Sequence, residues 1–227
     1  MLHQLRGHLL ANNLSETFLS AYRAHHSTET ALLDVTNCLP GGADEGQVSI
    51  LTLLDLSATF DTLHHSILLT HLRDMFGISG KAFEWFSSYL SDKFQCISVN
   101  GQVPSQKKLH YGVPRGFVLG PILFTLYTQP LSDIISQGKC NYHKFAEIQL
   151  HKSAPSDFHS LIHDIEQCVD SVGSWMTGNR LKLNNDKNEA LVVGSRGRVS
   201  VSQDSKLSVG SHDISFKKPC RTFRVLH

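Results

Sequence analysis

The segment Val48–Leu56 constrains the fold more than any other part of the chain. It is short and almost continuously apolar, and an acid, Asp55, stands near its end. Such a run predicts a strand that is buried on both faces of a sheet. A carboxylate at the end of a buried strand lies at the rim of the sheet, where it can either face a ligand or simply cap the connection to the next helix.

Helix and hairpin signals surround this strand without strict alternation of strand and helix. Apolar spacing predicts helices over 14–39, 64–76, 79–91, 119–135 and 157–177, with Ser79 as a cap of the third. Hairpins are predicted around Asn100-Gly101 and around Glu147, and a further strand at Ala190–Val193. Residues 195–227 predict short strands at most. This pattern is typical of an α+β fold with helices on one face of a small sheet.

Composition excludes several classes of protein. The 227 residues include 21 Lys and Arg against 20 Asp and Glu, a formal net charge of +1, which excludes a polybasic protein but not a local basic groove. The five cysteines are scattered without a CxxC pair, so a disulfide framework is not expected. A reducing compartment is predicted instead. No apolar run approaches the ~20 residues of a membrane helix, and the start lacks a signal peptide, so an intracellular location, nuclear or cytoplasmic, is expected.

Two further segments can carry chemistry. The loop Gly112–Gly116 precedes a predicted helix, and a glycine-rich approach to a helix N-terminus suits phosphate binding, although the segment can also be a plain loop. Glu147 lies at the tip of the second predicted hairpin, where it is either a site residue or a solvent-exposed turn acid.

Four ordered segments resemble the reverse transcriptase domain of non-LTR (LINE-type) retrotransposons. Residues 53–62 (LLDLSATFDT) are similar to the first palm motif, and residues 111–121 (YGVPRGFVLGP) to the second, whose usual form is GVPQGSVLGP. Residues 181–187 (LKLNNDK) are similar to the fourth motif, LKLNPDKTE, and residues 20–28 (SAYRAHHST) to the fingers segment GFRPGHST. The resemblance covers nearly the whole chain.

This resemblance implies a polymerase palm, an antiparallel sheet backed by helices, with partial fingers and no thumb. Residues 1–46 would belong to the fingers, 47–195 to the palm and 196–227 to a truncated C-terminal segment. The implied activity is RNA-directed DNA synthesis with an RNA template, a DNA primer, deoxynucleoside triphosphates and two Mg²⁺ ions. Two such ions lie roughly 3.5–4 Å apart and need converging carboxylates.

The resemblance also implies roles for individual residues. Asp55 and Glu147 would be the metal ligands, and Lys187 would protonate the leaving pyrophosphate. The implied nucleotide-binding residues are Arg23, Phe60, Pro114, Arg115 and Gly116, with Phe60 beneath the sugar. The candidate nucleic-acid-binding cations are Lys107, Lys108, Arg180 and Lys182.

The sequence departs from the family pattern in the third motif. Tyr-Ala-Asp-Asp followed by Thr-Gln-Leu is expected, but the chain reads FAEIQL over residues 145–150. One residue is therefore lost, Glu147 replaces the first acid and the second acid is gone. A displacement of about 1 Å at a reacting centre can cost about a hundredfold in rate. In the second motif, Arg115 and Phe117 replace Gln and Ser. We therefore expect a degenerate, truncated copy with an inactive catalytic site. The alternatives are a weak or partner-assisted polymerase, a non-catalytic relic that only binds nucleic acid, and a nonfunctional product that barely folds.

Overall fold

The computed structural model describes residues 1–14, 48–57, 60–96, 106–113, 118–138, 140–144, 147–154, 158–194 and 205–217. The helices are α1 (Leu2–Ala11), α2 (His65–Asp74), α3 (Gly80–Leu90), α4 (Gly120–Thr128), α5 (Leu131–Gln137) and α6 (Phe158–Gly178). The strands are β1 (Val48–Leu54), β2 (Phe94–Gln95), β3 (Lys107–Lys108), β4 (Asn141–Lys144), β5 (Ile148–Ala154), β6 (Glu189–Val193), β7 (Lys206–Val209) and β8 (His212–Lys217).

These elements form two compact units. The first unit comprises Met1–Glu16, Ala58–Gln129 and Asn179–Leu181. The second comprises Thr17–Ser57, Pro130–Gly178 and Lys182–His227. None of the described helices has the length and apolarity needed to cross a bilayer.

A six-stranded sheet with the strand order β4-β5-β1-β6-β8-β7 forms the centre of the second unit. All neighbouring strands are antiparallel except β6 and β8, which are parallel. Every residue of β1 except Leu53 is buried, as predicted for a strand covered on both faces. Helix α6 contacts β1, β5 and β7. The sheet is therefore antiparallel-rich and supported by a helix, which confirms the mixed α+β class.

The two faces of the paired strands β1 and β5 carry different side chains, because successive residues of a strand point to opposite faces. One face carries Ile50, Leu54 and Leu150, all fully buried. The other carries polar pairs such as Ser49 and Ser153, whose hydroxyl oxygens lie 2.7 Å apart. The apolar face fixes the register, because a slip of one residue would move its side chains to the other face.

Helices dominate the first unit. Helix α2 contacts α3 and α4, and its Leu68 and Leu72 are fully buried. His8 Nε2 on α1 lies 2.7 Å from the carbonyl oxygen of Phe76, which ties α1 to the end of α2. The short hairpin of β2 and β3 follows α3, with Phe94 paired to Lys108.

The prediction of one long helix over 119–135 is wrong. The structure has two helices there, α4 and α5, and Pro130 precedes the first residue of the second. Proline lacks an N–H donor and its ring clashes with the carbonyl four residues earlier, so it cannot continue α4. The two helices also belong to different units.

Most of the other sequence predictions agree with the structure. Helices α2, α3 and α6, the hairpin of β4 and β5, and β6 all lie within one or two residues of their predicted positions at most ends. Ser79 is the residue that precedes α3, but its side chain makes no capping hydrogen bond. Helix α1 was missed, although Leu5 and Leu9 have helical spacing and are buried. The predicted helix over 14–39 lies, apart from its first residue, outside the described residues.

Candidate functional site

Asp55 directly follows β1, and Glu147 directly precedes β5. The antiparallel register pairs Leu54 with Ile148, so extending it by one residue places Asp55 opposite Glu147. Directly opposite residues on antiparallel strands have Cβ atoms about 4.5–5.5 Å apart. The fold therefore brings the two predicted acids to the same end of the β1–β5 pair, at the rim of the sheet.

A turn before β6 surrounds Asp55 with polar groups. The Asp55 amide donates to Asn188 Oδ1 at 2.9 Å, and the Asp55 carbonyl oxygen accepts from the Asn184 amide at 2.9 Å. Asn184 Nδ2 donates to Asp55 Oδ2 at 2.9 Å, and Lys187 Nζ lies 3.8 Å from the same oxygen. We call Asp55, Glu147, Asn184, Lys187 and Asn188 the carboxylate edge.

Backbone pairing holds this turn in place. Leu183 forms an isolated antiparallel bridge with Leu56. The Ser57 amide donates to the Lys182 carbonyl oxygen at 2.9 Å. The Lys187 amide then closes the turn onto the Asn184 carbonyl oxygen at 3.0 Å. The segment that resembles the fourth motif is thus anchored to the segment that resembles the first.

Glu147 makes a contact of its own. Gln149 Nε2 donates to Glu147 Oε1 at 3.1 Å, so the two side chains lie on the same side of the strand. Ile148, between them, is buried and is paired with the fully buried Leu54 on the opposite, apolar face. The position after Glu147 therefore offers no oxygen ligand to the rim.

The donor set at the carboxylate edge does not fit a pair of Mg²⁺ ions. Mg²⁺ takes oxygen ligands in octahedral geometry, and a two-ion centre needs carboxylates that converge on both ions. Here Asp55 Oδ2 already accepts the Asn184 amide beside the Lys187 ammonium, and Glu147 Oε1 accepts the Gln149 amide. Across the described residues, no group of three or more His, Cys, Asp or Glu side chains is arranged to hold a metal ion.

The predicted nucleotide-binding residues are only partly described. Phe60 is half-buried in the first unit, where its ring lies 5.8 Å from that of Phe124, centroid to centroid. Arg23, Pro114, Arg115 and Gly116 lie outside the described residues, so their predicted roles stay predictions.

Gly112, at the start of the second motif, is described and needs to be glycine. Its φ is +88°, and a Cβ there would lie 3.2 Å from the Asp61 carbonyl oxygen. Its amide donates to the Leu63 carbonyl oxygen at 2.8 Å. His65 Nε2 donates to the Gly112 carbonyl oxygen at 2.8 Å. Burial lowers the pKa of His65, and this hydrogen bond opposes the lowering.

The four predicted nucleic-acid-binding cations are all exposed. Lys107, Lys108 and Arg180 lie in the first unit, and Lys182 lies in the second. Lys108 Nζ binds Asp92 Oδ1 at 3.0 Å, which reduces its free charge. Arg180 has a φ of +59°, unusual for a residue with a side chain.

Sequence reasoning missed the two asparagines of the carboxylate edge. Asn184 and Asn188 make three of the hydrogen bonds that hold Asp55. The polar groups of Asp55 at the end of a buried strand indicate that partners are needed, but no local signal identifies asparagines more than 120 residues away as those partners.

Comparison with known proteins agrees with the family resemblance of the four sequence motifs. The chain belongs to the reverse transcriptase (RNA-dependent DNA polymerase) family, whose model matches residues 1–220. The predicted kinship with retrotransposon reverse transcriptase domains of the non-LTR type is confirmed by its relatives.

Two of these relatives come from Drosophila melanogaster. A probable RNA-directed DNA polymerase from transposon BS is 24% identical over 139 residues, 57% of this chain and 15% of the relative. The RNA-directed DNA polymerase from mobile element jockey is 27% identical over 114 residues, 50% of this chain and 12% of the relative. The chain thus spans a small part of the length of these relatives.

Solved telomerase structures share the fold. Apo telomerase from Candida tropicalis, truncated from the C-terminal domain, matches with a TM-score of 0.61 and 13% identity, over 94% of this chain and 43% of that one. Telomerase from Candida albicans, in complex with a fragment of telomeric RNA, matches with a TM-score of 0.58 and 15% identity. The match covers 93% of this chain and 36% of the telomerase chain.

Proposed function

We propose that this chain is a degenerate reverse transcriptase domain that binds nucleic acid but does not carry out templated DNA synthesis. The observation that carries the proposal is the composition of the carboxylate edge. The second acid of the family pattern has no counterpart in the chain, because Glu147 is followed directly by Ile148, which is buried on the apolar face of the sheet. Asp55, the expected first ligand, is engaged by Asn184 and Lys187.

The proposal includes the assignment of parts of the chain to a polymerase hand. Residues 47–195 are the palm, residues 1–46 part of the fingers, and residues 196–227 a C-terminal segment of the palm. The antiparallel-rich sheet contacted by α6 and the likeness to telomerase support this assignment.

The proposed ligands are an RNA template paired with a DNA primer. Lys107, Lys108, Arg180 and Lys182 supply exposed positive charge for the phosphate backbone. Binding of this kind is independent of base sequence and weakens with salt, because phosphate contacts release counterions. Deoxynucleoside triphosphates are the small ligands expected from the family, at Arg23, Phe60 and residues 114–116.

A second candidate function is a weak polymerase. One observation favours it: Asp55 follows β1 and Glu147 precedes β5 at the same end of this strand pair, which supports a site where both carboxylates bind one cation. A single ion supplies only part of the stabilisation that two ions provide in an in-line displacement. This candidate therefore predicts low activity rather than none.

Primer extension and binding on the same protein separate the two candidates. The purified chain is incubated with a labelled DNA primer on an RNA template, deoxynucleoside triphosphates and either Mg²⁺ or Mn²⁺. The proposal predicts no extension above the level of Asp55→Asn. It also predicts an increase in fluorescence anisotropy of the labelled hybrid that falls steeply as salt is raised.

Asp170→Asn is the matched control, because Asp170 is an exposed acid on α6. Extension that is lost in Asp55→Asn and kept in Asp170→Asn establishes the weak polymerase and overturns the proposal. Absence of hybrid binding by a protein that unfolds cooperatively contradicts both candidates.

A further inference from the structure

One face of α3 repeats an aromatic and basic pattern every four residues. Lys81, Trp85 and Tyr89 lie at this spacing, and Lys93 continues it just beyond the end of the helix. Residues four apart on a helix are neighbours on its surface. The rings of Trp85 and Tyr89 are stacked, with centroids 5.3 Å apart and planes 9° from parallel. Lys93 Nζ lies 5.5 Å from the centroid of the Tyr89 ring.

Packing holds the Trp85 indole in place. The next residue, Phe86, is buried in the core, and its ring meets the indole edge to face at 5.2 Å and 86°. Tyr89 covers part of the indole, yet 38% of Trp85 remains exposed. A ring fixed in this way loses little conformational freedom when a ligand stacks on it.

Trp85 also forms part of the wall of a cleft between α1 and α3, within the first unit. The cleft has a volume of about 620 Å³, in the range of small-molecule sites. Its lining includes Leu5 and Ile78, together with the polar side chains of Gln4, His8 and Lys81. A flat apolar group fits this lining, with hydrogen-bonding groups at its border.

The charge around this face is positive. Lys81 and Lys93 flank the two rings, and the nearby hairpin adds Lys107 and Lys108. The acids of this region are Glu84 and Asp92, and Asp92 is paired with Lys108 at 3.0 Å. Stacked aromatics between cations suit a ligand that combines flat rings with phosphates, which is single-stranded nucleic acid.

We propose that the cleft beside Trp85 binds single-stranded RNA, with one base stacked on the indole and flanking phosphates at Lys81 and Lys93. This site lies outside the motifs that define the polymerase hand. The proposal takes its ligand class from the proposed function, in which the domain binds nucleic acid. It differs in the residues that it uses and in requiring an unpaired strand.

Tryptophan fluorescence tests the site directly. The chain has two tryptophans, Trp85 and Trp175, so Trp175→Phe leaves Trp85 as the single reporter. We expect a short oligouridylate to quench this fluorescence in a saturable way. Trp85→Ala is expected to weaken binding of the labelled oligouridylate by about 5- to 150-fold, the value of one stacked base. Trp85→Phe should keep most of the affinity because it keeps an aromatic face.

Lysine variants test the phosphate contacts without touching the core. Lys81→Gln and Lys93→Gln should each reduce the slope of log affinity against log salt by about 0.7. Lys206→Gln is the matched control, because Lys206 is an exposed lysine of the second unit. Thermal unfolding of each variant shows that the fold is intact.

The possible results separate this inference from the proposed function. If the RNA–DNA hybrid binds but Trp85→Ala leaves oligouridylate affinity unchanged, the cleft is not the site and only this inference falls. If oligouridylate binds through Trp85 but the hybrid does not bind, only the proposed function falls. Trp85 fluorescence that depends on protein concentration in the absence of RNA identifies a second copy of the chain as the occupant and overturns the inference.

Discussion

The carboxylate edge and the face of α3 that carries Trp85 and Tyr89 are both rows of candidate functional side chains, but they are held in different ways. At the carboxylate edge, Asp55 depends on hydrogen bonds from a distant turn, through Asn184 and Asn188. On the aromatic face, Trp85 and Tyr89 lie on a single helix, and local spacing alone brings their rings together.

This difference teaches which kind of site withstands sequence change. A site assembled from several strands and a turn is lost when one strand loses a residue. The strand register then shifts by one, and every side chain beyond that point turns to the opposite face of the sheet. A site on one helix needs only the integrity of that helix. The two proposals made above, loss of the donor set for a metal pair and binding of RNA at α3, are compatible for this physical reason.

The largest expected effect tests the scaffold of the carboxylate edge. Leu54, next to Asp55, is fully buried, so Leu54→Ala should lower the free energy of unfolding by about 2–5 kcal/mol through lost burial and a cavity. Urea denaturation measures this change. Leu10→Ala is the matched control, because Leu10 is 66% exposed and should change stability by less than about 0.5 kcal/mol. Equal effects at both positions would show that the sheet does not support the edge as described.

The next effect tests the turn. Asn188 is buried and accepts the Asp55 amide, so Asn188→Ala should cost about 1–3 kcal/mol by leaving that N–H without its acceptor. The measurement is again urea denaturation. Asn185→Ala, in the same turn but bonded only at the surface to His212, should cost much less. A neutral Asn188→Ala would mean that the turn does not hold Asp55.

A smaller effect is the pH dependence of the unfolding free energy that buried histidines cause in each of the two units. Burial lowers the pKa of His65 and His71 in the first unit and of His151 in the second, and the neighbouring His143 adds to the lowering at His151. Their unfolded forms therefore take up protons at a higher pH than the folded forms. Stability should fall as pH drops below about 6.5, by less than about 1.4 kcal/mol per histidine per pH unit, because solvent screening reduces each contribution.

Unfolding free energies at pH 7.5 and pH 5.5 check this pH dependence. In His151→Gln the difference between the two values should shrink. A difference that stays the same in this variant would show that His151 does not contribute, and a rise in stability at the lower pH would contradict the sign for all three histidines.

The smallest effect concerns the ion pair at the carboxylate edge. Lys187 Nζ lies 3.8 Å from Asp55 Oδ2, but the lysine side chain is 71% exposed. An exposed pair contributes about 0–1 kcal/mol, so Lys187→Gln should leave thermal stability nearly unchanged. A loss comparable to that of Asn188→Ala would show that charge, rather than the amide network, holds Asp55 in place.

Much of the fold follows from local patterns in the sequence. The apolar run of β1, the helical spacing of α2, α3 and α6, and the hairpin around Glu147 can all be read from residue order. The break at Pro130 also follows from residue order, since proline cannot continue a helix, although the apolar spacing runs through it. Helix α1 was missed because only Leu5 and Leu9 mark its buried side.

The residues of the candidate site also differ in whether local sequence patterns can predict their positions. The positions of Asp55 after β1 and of Glu147 before β5 could be predicted, because the end of a strand and the tip of a hairpin are local features, whereas their ligand roles rest on the family resemblance and stay predictions. Their partners Asn184 and Asn188 could not be predicted, because contacts over more than 120 residues depend on the tertiary fold. The stack of Trp85 on Tyr89 needs only the four-residue spacing within the helix predicted over 79–91, so it is a local feature as well.

If the domain is inactive, as proposed, the pairing of Leu54 with Ile148 limits how a second acid could be regained at the rim. Exchanging Ile148 for an acid would not rebuild the rim, because the new carboxylate would point into the apolar interior and would cost several kcal/mol there. Only reinsertion of the missing residue before β5 could restore a second acid beside the first. An evolutionary reversal would thus require a codon-length insertion, a far rarer event than a point mutation.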